Sequence, residues 1–286
     1  MSEARIGVIG GSGVYNLEDI EYHDEVDLWT PYGSPSDQIR LGRYKGRELA
    51  FLPRHGRTHK YNPTNVPYQA NIYALKQLGV EWIIAVNAVG SLKLEQKPLD
   101  FVVPDQVIDR TKHRPSTFFD PIAVHVAFAD PFCDPLRQLL IESAQECGVT
   151  VHPDGTYVCM EGPLFSTRAE SNLYRSWGAD LIGMTALPEA KLAREAEICY
   201  AIVAAVTDYD CWHEEDVEID MIIQNLMKNA DNLKQLIKTV IPKIPEERGT
   251  LCQCSSALKN AIMTKPEDYP KERKEAFEFL SKKYNL

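Results

Sequence analysis

Short runs rich in valine and isoleucine alternate with segments whose apolar residues recur at helical spacing along most of this chain. That alternation restricts the fold to the α/β class, in which a largely parallel sheet is buried between helices. Residues 5–9, 80–86, 156–160, 181–183 and 200–206 read as strands. Residues 68–78 read as a helix that stops at Gly79, and residues 136–147 as one that stops before Gly148. Thr167 and Glu170 have capping-box spacing and start a helix that ends near Gly178. Two further helices are expected over residues 188–197, where a proline opens the first turn, and over the amphipathic stretch 219–240. Residues 39–44 and 48–52 flank Lys45-Gly46 as a hairpin, so the sheet is mixed. The expectation is a single α/β domain, residues 1–241, with a central mixed twisted β-sheet flanked by helices. Residues 242–286 form a charged C-terminal extension packing on the same domain, and the proline-containing stretch 98–135 reads as long connections.

Composition removes several function classes. The chain has 286 residues, with 41 acidic against 31 basic side chains and a net charge of −10. Neither nucleic acid nor an anionic membrane surface is therefore an expected partner. The apolar run near the N-terminus is too short for a signal-peptide core, and no other stretch is long enough to span a bilayer. Seven cysteines in a chain too long to need disulfides for its core suit a reducing, cytoplasmic setting. Cys252-Gln253-Cys254 lacks the CxxC spacing of zinc ribbons and thioredoxins, so it reads as an incidental pair of thiols, and no metal site is expected.

Polar clusters stand at the C-terminal ends of the expected strands, where open α/β sheets bind ligands. Gly10-Gly11-Ser12-Gly13 is either an anion cradle or a tight strand exit. Its spacing fails GxGxxG, and the chain has no GxxxxGK[ST], which removes the dinucleotide and NTPase readings. Arg54-His55-Gly56-Arg57-Thr58-His59 places cation and imidazole together, as an anion site or a solvated basic loop. Asn87-Ala88-Val89-Gly90-Ser91 reads as amide donors on a flexible turn, and Met184-Thr185 as a helix N-terminus. Asp208 and Asp210 flank Tyr209 after a very apolar strand. On extended backbone both would face one side, as acids for proton transfer, or they form a capped turn.

Taken in order, these motifs, together with Tyr68-Gln69-Ala70-Asn71-Ile72 and Glu161-Gly162-Pro163-Leu164-Phe165-Ser166-Thr167-Arg168-Ala169-Glu170, resemble the trimeric purine nucleoside phosphorylase family, in particular its methylthioadenosine-cleaving branch. The resemblance runs from about Ile6 to about Val240. It implies a nucleoside phosphorylase-like fold and phosphate-dependent cleavage of 5'-methylthioadenosine to adenine and 5-methylthioribose 1-phosphate. It also implies a homo-oligomer, a trimer or dimer of trimers, whose loops complete a neighbour's site. By residue, it implies phosphate binding by Ser12, Arg54, His55, Asn87, Ala88 and Thr185. Phe165 would lie against the base, Asp208 and Asp210 at its edge, and Met184 over the ribose. Asp208 would be the catalytic acid, and Ser166 and Ile219 would tune substrate preference. No cofactor is implied, since phosphate is a co-substrate. Asn87 and Gly183 depart from the residues many relatives carry there, and the second departure is expected to loosen contacts to the base. Val217 and Ile219 would give the 5' side of the sugar an apolar wall. The aromatic residues of 98–135, Phe118, Phe119 and Phe132 with His125, are expected at a subunit contact. A 6-oxopurine nucleoside phosphorylase is the alternative enzyme, and a nucleoside-binding regulatory protein the alternative outside enzymes.

Overall fold

The computed structural model describes residues 4–11, 17–213 and 219–284, Ile219 and Asp220 by their backbone alone. Eleven strands form one mixed sheet among the described residues: β1 (Ile6–Gly10), β2 (Glu21–Val26), β3 (Ile39–Tyr44), β4 (Arg47–Pro53), β5 (Trp82–Ser91), β6 (Phe101–Val102), β7 (Gln106–Arg110), β8 (Val151–His152), β9 (Thr156–Met160), β10 (Leu181–Gly183) and β11 (Cys199–Asp208). Six α-helices accompany them: α1 (Tyr68–Gln77), α2 (Asp134–Glu146), α3 (Arg168–Ser176), α4 (Glu189–Glu195), α5 (Ile219–Val240) and α6 (Lys274–Ser281).

The main run of the sheet is β2-β3-β4-β1-β5-β10-β9-β7, and β11 joins it on β5. β5 is where the sheet forks. Its first half lies between parallel β1 and β11, while its second half keeps β11 and takes antiparallel β10 on the other side. Burial on both faces explains the unbroken apolar runs of the central strands. Ile83 and Ala85 of β5 and Ile202 and Ala204 of β11 enter a core covered by α1 and α4. Trp82, Ile84, Ala201 and Val203 point the other way, into a core covered by α2 and α5.

Three expectations are corrected here. Asn87-Ala88-Val89-Gly90-Ser91 is strand rather than turn, because β11 pairs with β5 as far as Asp208 opposite Gly90. The stretch 98–135 contains two short strands, β6 between β11 and β8 and β7 on β9. Its aromatic residues do not wait for another subunit: Phe118, Phe119 and Phe132 are buried in this chain's own core, with the Phe119 ring centroid 5.4 Å from that of Phe277. His125 alone of that group is exposed, its N–H donating to the Ala261 carbonyl.

Residues beyond 242 run along both cores. Ile244 and Cys254 join the α2/α5 side, whereas Leu258, Tyr269, Phe277 and Leu280 join the α1/α4 side. Arg47 donates to the Ile244 and Pro245 carbonyls, which ties the start of this segment to the β3–β4 hairpin.

Candidate active site

A cavity of about 620 Å³ opens where the sheet forks, at the C-terminal ends of β1, β4, β5, β10 and β11. Arg54, His55, Asn87, Ala88, Phe165, Met184, Thr185, Asp208 and Asp210 all line it. Ser12 lies outside the described residues, as do Val217 and the side chain of Ile219. Ser166 sits behind the wall, its hydroxyl 3.5 Å from the sulfur of Met160, which does line the cavity.

The polar end is built on buried Arg54. Its Nε and Nη2 donate to the two carboxylate oxygens of Glu189, each at 2.8 Å, and Nη1 donates to the Val86 carbonyl at 2.9 Å. Nη2 also reaches Asn87 Oδ1 at 3.4 Å. The paired donors that the sequence offered for an anion are therefore turned onto Glu189. Of the five N–H groups a guanidinium carries, one on Nη1 remains for the cavity. Asn87 continues the chain by donating from Nδ2 to the Thr185 hydroxyl at 2.8 Å.

His55 is not a cation here. Burial, reinforced by the charge of Arg54, pushes its imidazole down to about 4, so it is neutral at neutral pH. Nδ1 lies 2.9 Å from the Tyr61 carbonyl, an acceptor only, so that nitrogen carries the hydrogen and Nε2 keeps a lone pair. A neutral acceptor beside a guanidinium and hydroxyl donors suits an anion that still holds a proton.

Met184 and Thr185 lie in the loop between β10 and α4, five and four residues before α4 begins, and not at a helix N-terminus as expected. Arg114 fixes that loop by donating to the Met184 carbonyl at 2.6 Å, the Leu187 carbonyl at 2.7 Å and the Glu161 carbonyl. Gly183, the departure expected to loosen the site, is instead filled from behind. A Cβ there would collide with the hydroxyl of Tyr157, which also accepts from Asn87 Nδ2 at 3.4 Å.

The acidic end depends on a bulge. Val206 pairs with Val89 and Asp208 with Gly90, so Thr207 is the extra residue that re-aims the strand end. Asn225 and Asn229 of α5 donate to the Thr207 and Val206 carbonyls at 2.8 and 2.9 Å and hold the bulge in place. Asp208 accepts from the Thr207 hydroxyl at 2.5 Å and from the backbone N–H of Asp210 at 2.9 Å. The backbone is not extended here: Asp210 has φ 54° and begins a single 3₁₀ turn, yet both carboxyl groups reach the cavity. Burial raises both above the usual carboxylate range, against hydrogen bonds from the Thr207 hydroxyl and Asp210 N–H in the case of Asp208, and with the charge of Asp208 adding to the rise in the case of Asp210. Gly90 leaves room beneath them, since a Cβ at that position would lie 3.2 Å from the Asp210 Cβ.

Residues that sequence reasoning missed are Glu189, Arg114, Tyr157 and the α5 wall of Ile222, Ile223, Leu226 and Met227. A glutamate in the first turn of a short helix gives no local sign of a buried partner 135 positions away. The α5 wall did carry a signal, in the apolar face of that long helix.

Residues 5–242 match the model of the phosphorylase superfamily. The S-methyl-5'-thioadenosine phosphorylase of Koribacter versatilis is 52% identical over 285 residues, which cover 99% of this chain and 97% of the relative. Among solved structures, a methylthioadenosine phosphorylase from an antarctic soil metagenomic library superposes with a TM-score of 0.93 at 50% identity, covering 98% of this chain and 99% of that one. The methylthioadenosine phosphorylase of Schistosoma mansoni in complex with adenine gives a TM-score of 0.86 at 35% identity, covering 91% and 99%. The chain belongs to the phosphorylase superfamily.

Proposed function

We propose that this protein transfers the sugar of 5'-methylthioadenosine from adenine to inorganic phosphate, releasing adenine and 5-methylthioribose 1-phosphate. The observation that carries the reading is one cavity with two chemically opposite ends: buried acids raised above their usual range at one, and a guanidinium, hydroxyl and amide set at the other. The relative from Koribacter versatilis, which shares half its residues with this chain, supplies the substrate.

In this reading Arg54, His55, Thr185 and Ser12 hold phosphate against C1' of the sugar, with Asn87 orienting Arg54 and Thr185 and the chain at Ala88 closing that side. Phe165 covers the face of the base and Met184 the ribose. The bond from C1' to N9 breaks with its electron pair going to the purine, and a phosphate oxygen bonds to C1'. Asp208 delivers a proton to N7, which neutralises the leaving anion, and Asp210 adds an acceptor for the 6-amino group. Ser166 acts on preference only through Met160. The chemistry needs no organic cofactor and no catalytic metal. A nucleoside-binding regulator would use the base end and have no need of the polar end. A 6-oxopurine would turn a lone pair toward the acids.

The 5' substituent meets the α5 wall of Ile222, Ile223, Leu226 and Met227, which offers a hydroxyl no partner. Burying an unpaired hydroxyl costs about 1–3 kcal/mol, so kcat/KM should favour methylthioadenosine over adenosine on the order of tenfold to a hundredfold. Inosine should be cleaved far less well than either. Equal kcat/KM for adenosine and methylthioadenosine would contradict the assignment of this wall.

Oligomerisation belongs to the same proposal, as a trimer or dimer of trimers in the cytoplasm. Phe165 stands exposed on the cavity, and Leu164 beside it in sequence, Leu173 on α3 and Trp177 just after that helix are exposed too. Together they offer a surface that a second copy would cover. Light scattering alongside the activity assay should show the active species to be a multiple of three chains. A fully active monomer would sink the idea of a shared site.

A further inference from the structure

Cys252 and Cys254 are not incidental. The fold brings Cys133, at the N-cap of α2, and Cys199, the first residue of β11, against them, so that the four sulfur atoms lie within 4.8 Å of one another. None of the four is in a disulfide. Cys133, Cys199 and Cys254 are buried, and Cys252 is partly so. Three separate parts of the chain therefore converge on one point, and none of the four lines the active-site cavity.

Four thiolates around a tetrahedral zinc ion, with Zn–S about 2.3 Å, have their sulfur atoms about 3.8 Å apart. The Cys199 and Cys252 sulfur atoms are 3.3 Å apart, slightly inside that edge, and the bound of 4.8 Å on every other pair brackets it. Two disulfides would require only that the sulfurs approach in pairs, whereas here all four approach one another. Four thiolates and a divalent ion carry net negative charge, and the guanidinium of Arg248 is placed to offset it. Its Nη1 lies 3.9 Å from the Cys199 sulfur and donates to the Glu197 carbonyl at 2.6 Å. A closed set of four soft ligands in a buried setting is structural in kind, with no open position for a substrate.

We propose that Cys133, Cys199, Cys252 and Cys254 bind one zinc ion that pins the segment beyond residue 242 to the sheet. This revises the expectation that the chain has no metal site, and it leaves the cavity's chemistry unchanged. Because such a site does not exist in the unfolded chain, the binding energy of the ion adds to the stability of the fold.

The full-length protein, purified without metal-chelating resin from zinc-supplemented culture, should contain about one zinc per chain by mass spectrometry of the elements. Cys252→Ser with Cys254→Ser should lower that content at least about tenfold. Cobalt in place of zinc should give the intense near-ultraviolet charge-transfer band of tetrahedral thiolate ligation. If the double variant does not fold, titrating the native protein with a mercurial should release the zinc as these thiols react. Zinc below about a tenth of an equivalent per chain would overturn the proposal. It would do so whether intact mass then showed four free thiols or a chain short of the hydrogens lost to disulfides.

Discussion

Arg54→Ala is expected to abolish phosphate-dependent turnover and to destabilise the fold at the same time. The guanidinium is buried and answers both oxygens of Glu189, which is itself fully buried and accepts from the Tyr200 hydroxyl at 2.9 Å. Removing one partner of such a pair leaves an uncompensated charge in the core and costs about 3–5 kcal/mol. For a chain of this size that corresponds to a fall in Tm on the order of 10 °C. Loss of activity in this variant would therefore not by itself assign Arg54 to phosphate. The triple variant Arg54→Met, Glu189→Leu, Tyr200→Phe separates the two effects, because replacing the whole buried polar set with apolar groups of similar volume removes the unpaired charge. It should recover most of the Tm and none of the phosphorolysis. A thermally stable Arg54→Ala protein with an unchanged KM for phosphate would refute both roles.

Asp208→Asn should lower kcat for adenine release by about 10²- to 10⁴-fold, the usual contribution of a positioned general acid. The direction of its pH dependence follows from burial. Asp208 keeps its proton to higher pH than an ordinary carboxyl group, so the competent neutral form is present at low pH and is lost as pH rises through the raised value. The wild-type kcat profile should fall on that limb, and the variant should not show the limb at all. Stability should move the same way with pH. A carboxyl group whose pKa is raised by folding contributes stability that is lost as pH rises, so a neutral asparagine should be no less stable at neutral pH. An amide can donate to O6, so the variant should also gain activity on 6-oxo nucleosides relative to methylthioadenosine. Circular dichroism melts beside pH–rate profiles would check all three. An unchanged profile or an unchanged base preference would remove Asp208 from the reaction.

The central strands were readable because both of their faces are buried, which makes β1, β5 and β11 continuous apolar runs between turn residues. The capping box of α3 and the Lys45-Gly46 turn were equally legible, since each is satisfied within a few residues. β2 was not, because Glu21–Val26 is a half-exposed edge strand with no apolar alternation, and the two-residue β6 and β8 carry too little pattern to see. The site divides on the same line. The positions of Arg54, Thr185 and Asp208 at strand ends could be read locally, whereas what Arg54 faces could not. Its partner Glu189, the bulge clamp of Asn225 and Asn229, and the convergence of four cysteines are products of long-range packing. Phe118 and Phe119 mislead for a related reason: aromatic density marks a buried surface without saying whether the cover is this chain or another.

The central claim is that phosphate, and not water, accepts the sugar. Adenine release from 5'-methylthioadenosine, followed with and without inorganic phosphate, tests it most directly. With phosphate, adenine and sugar phosphate should form in equal amounts, and without it the rate should fall by at least about a hundredfold, since the positioned nucleophile is gone. Equal rates in the two conditions, or no adenine in either, would contradict the account.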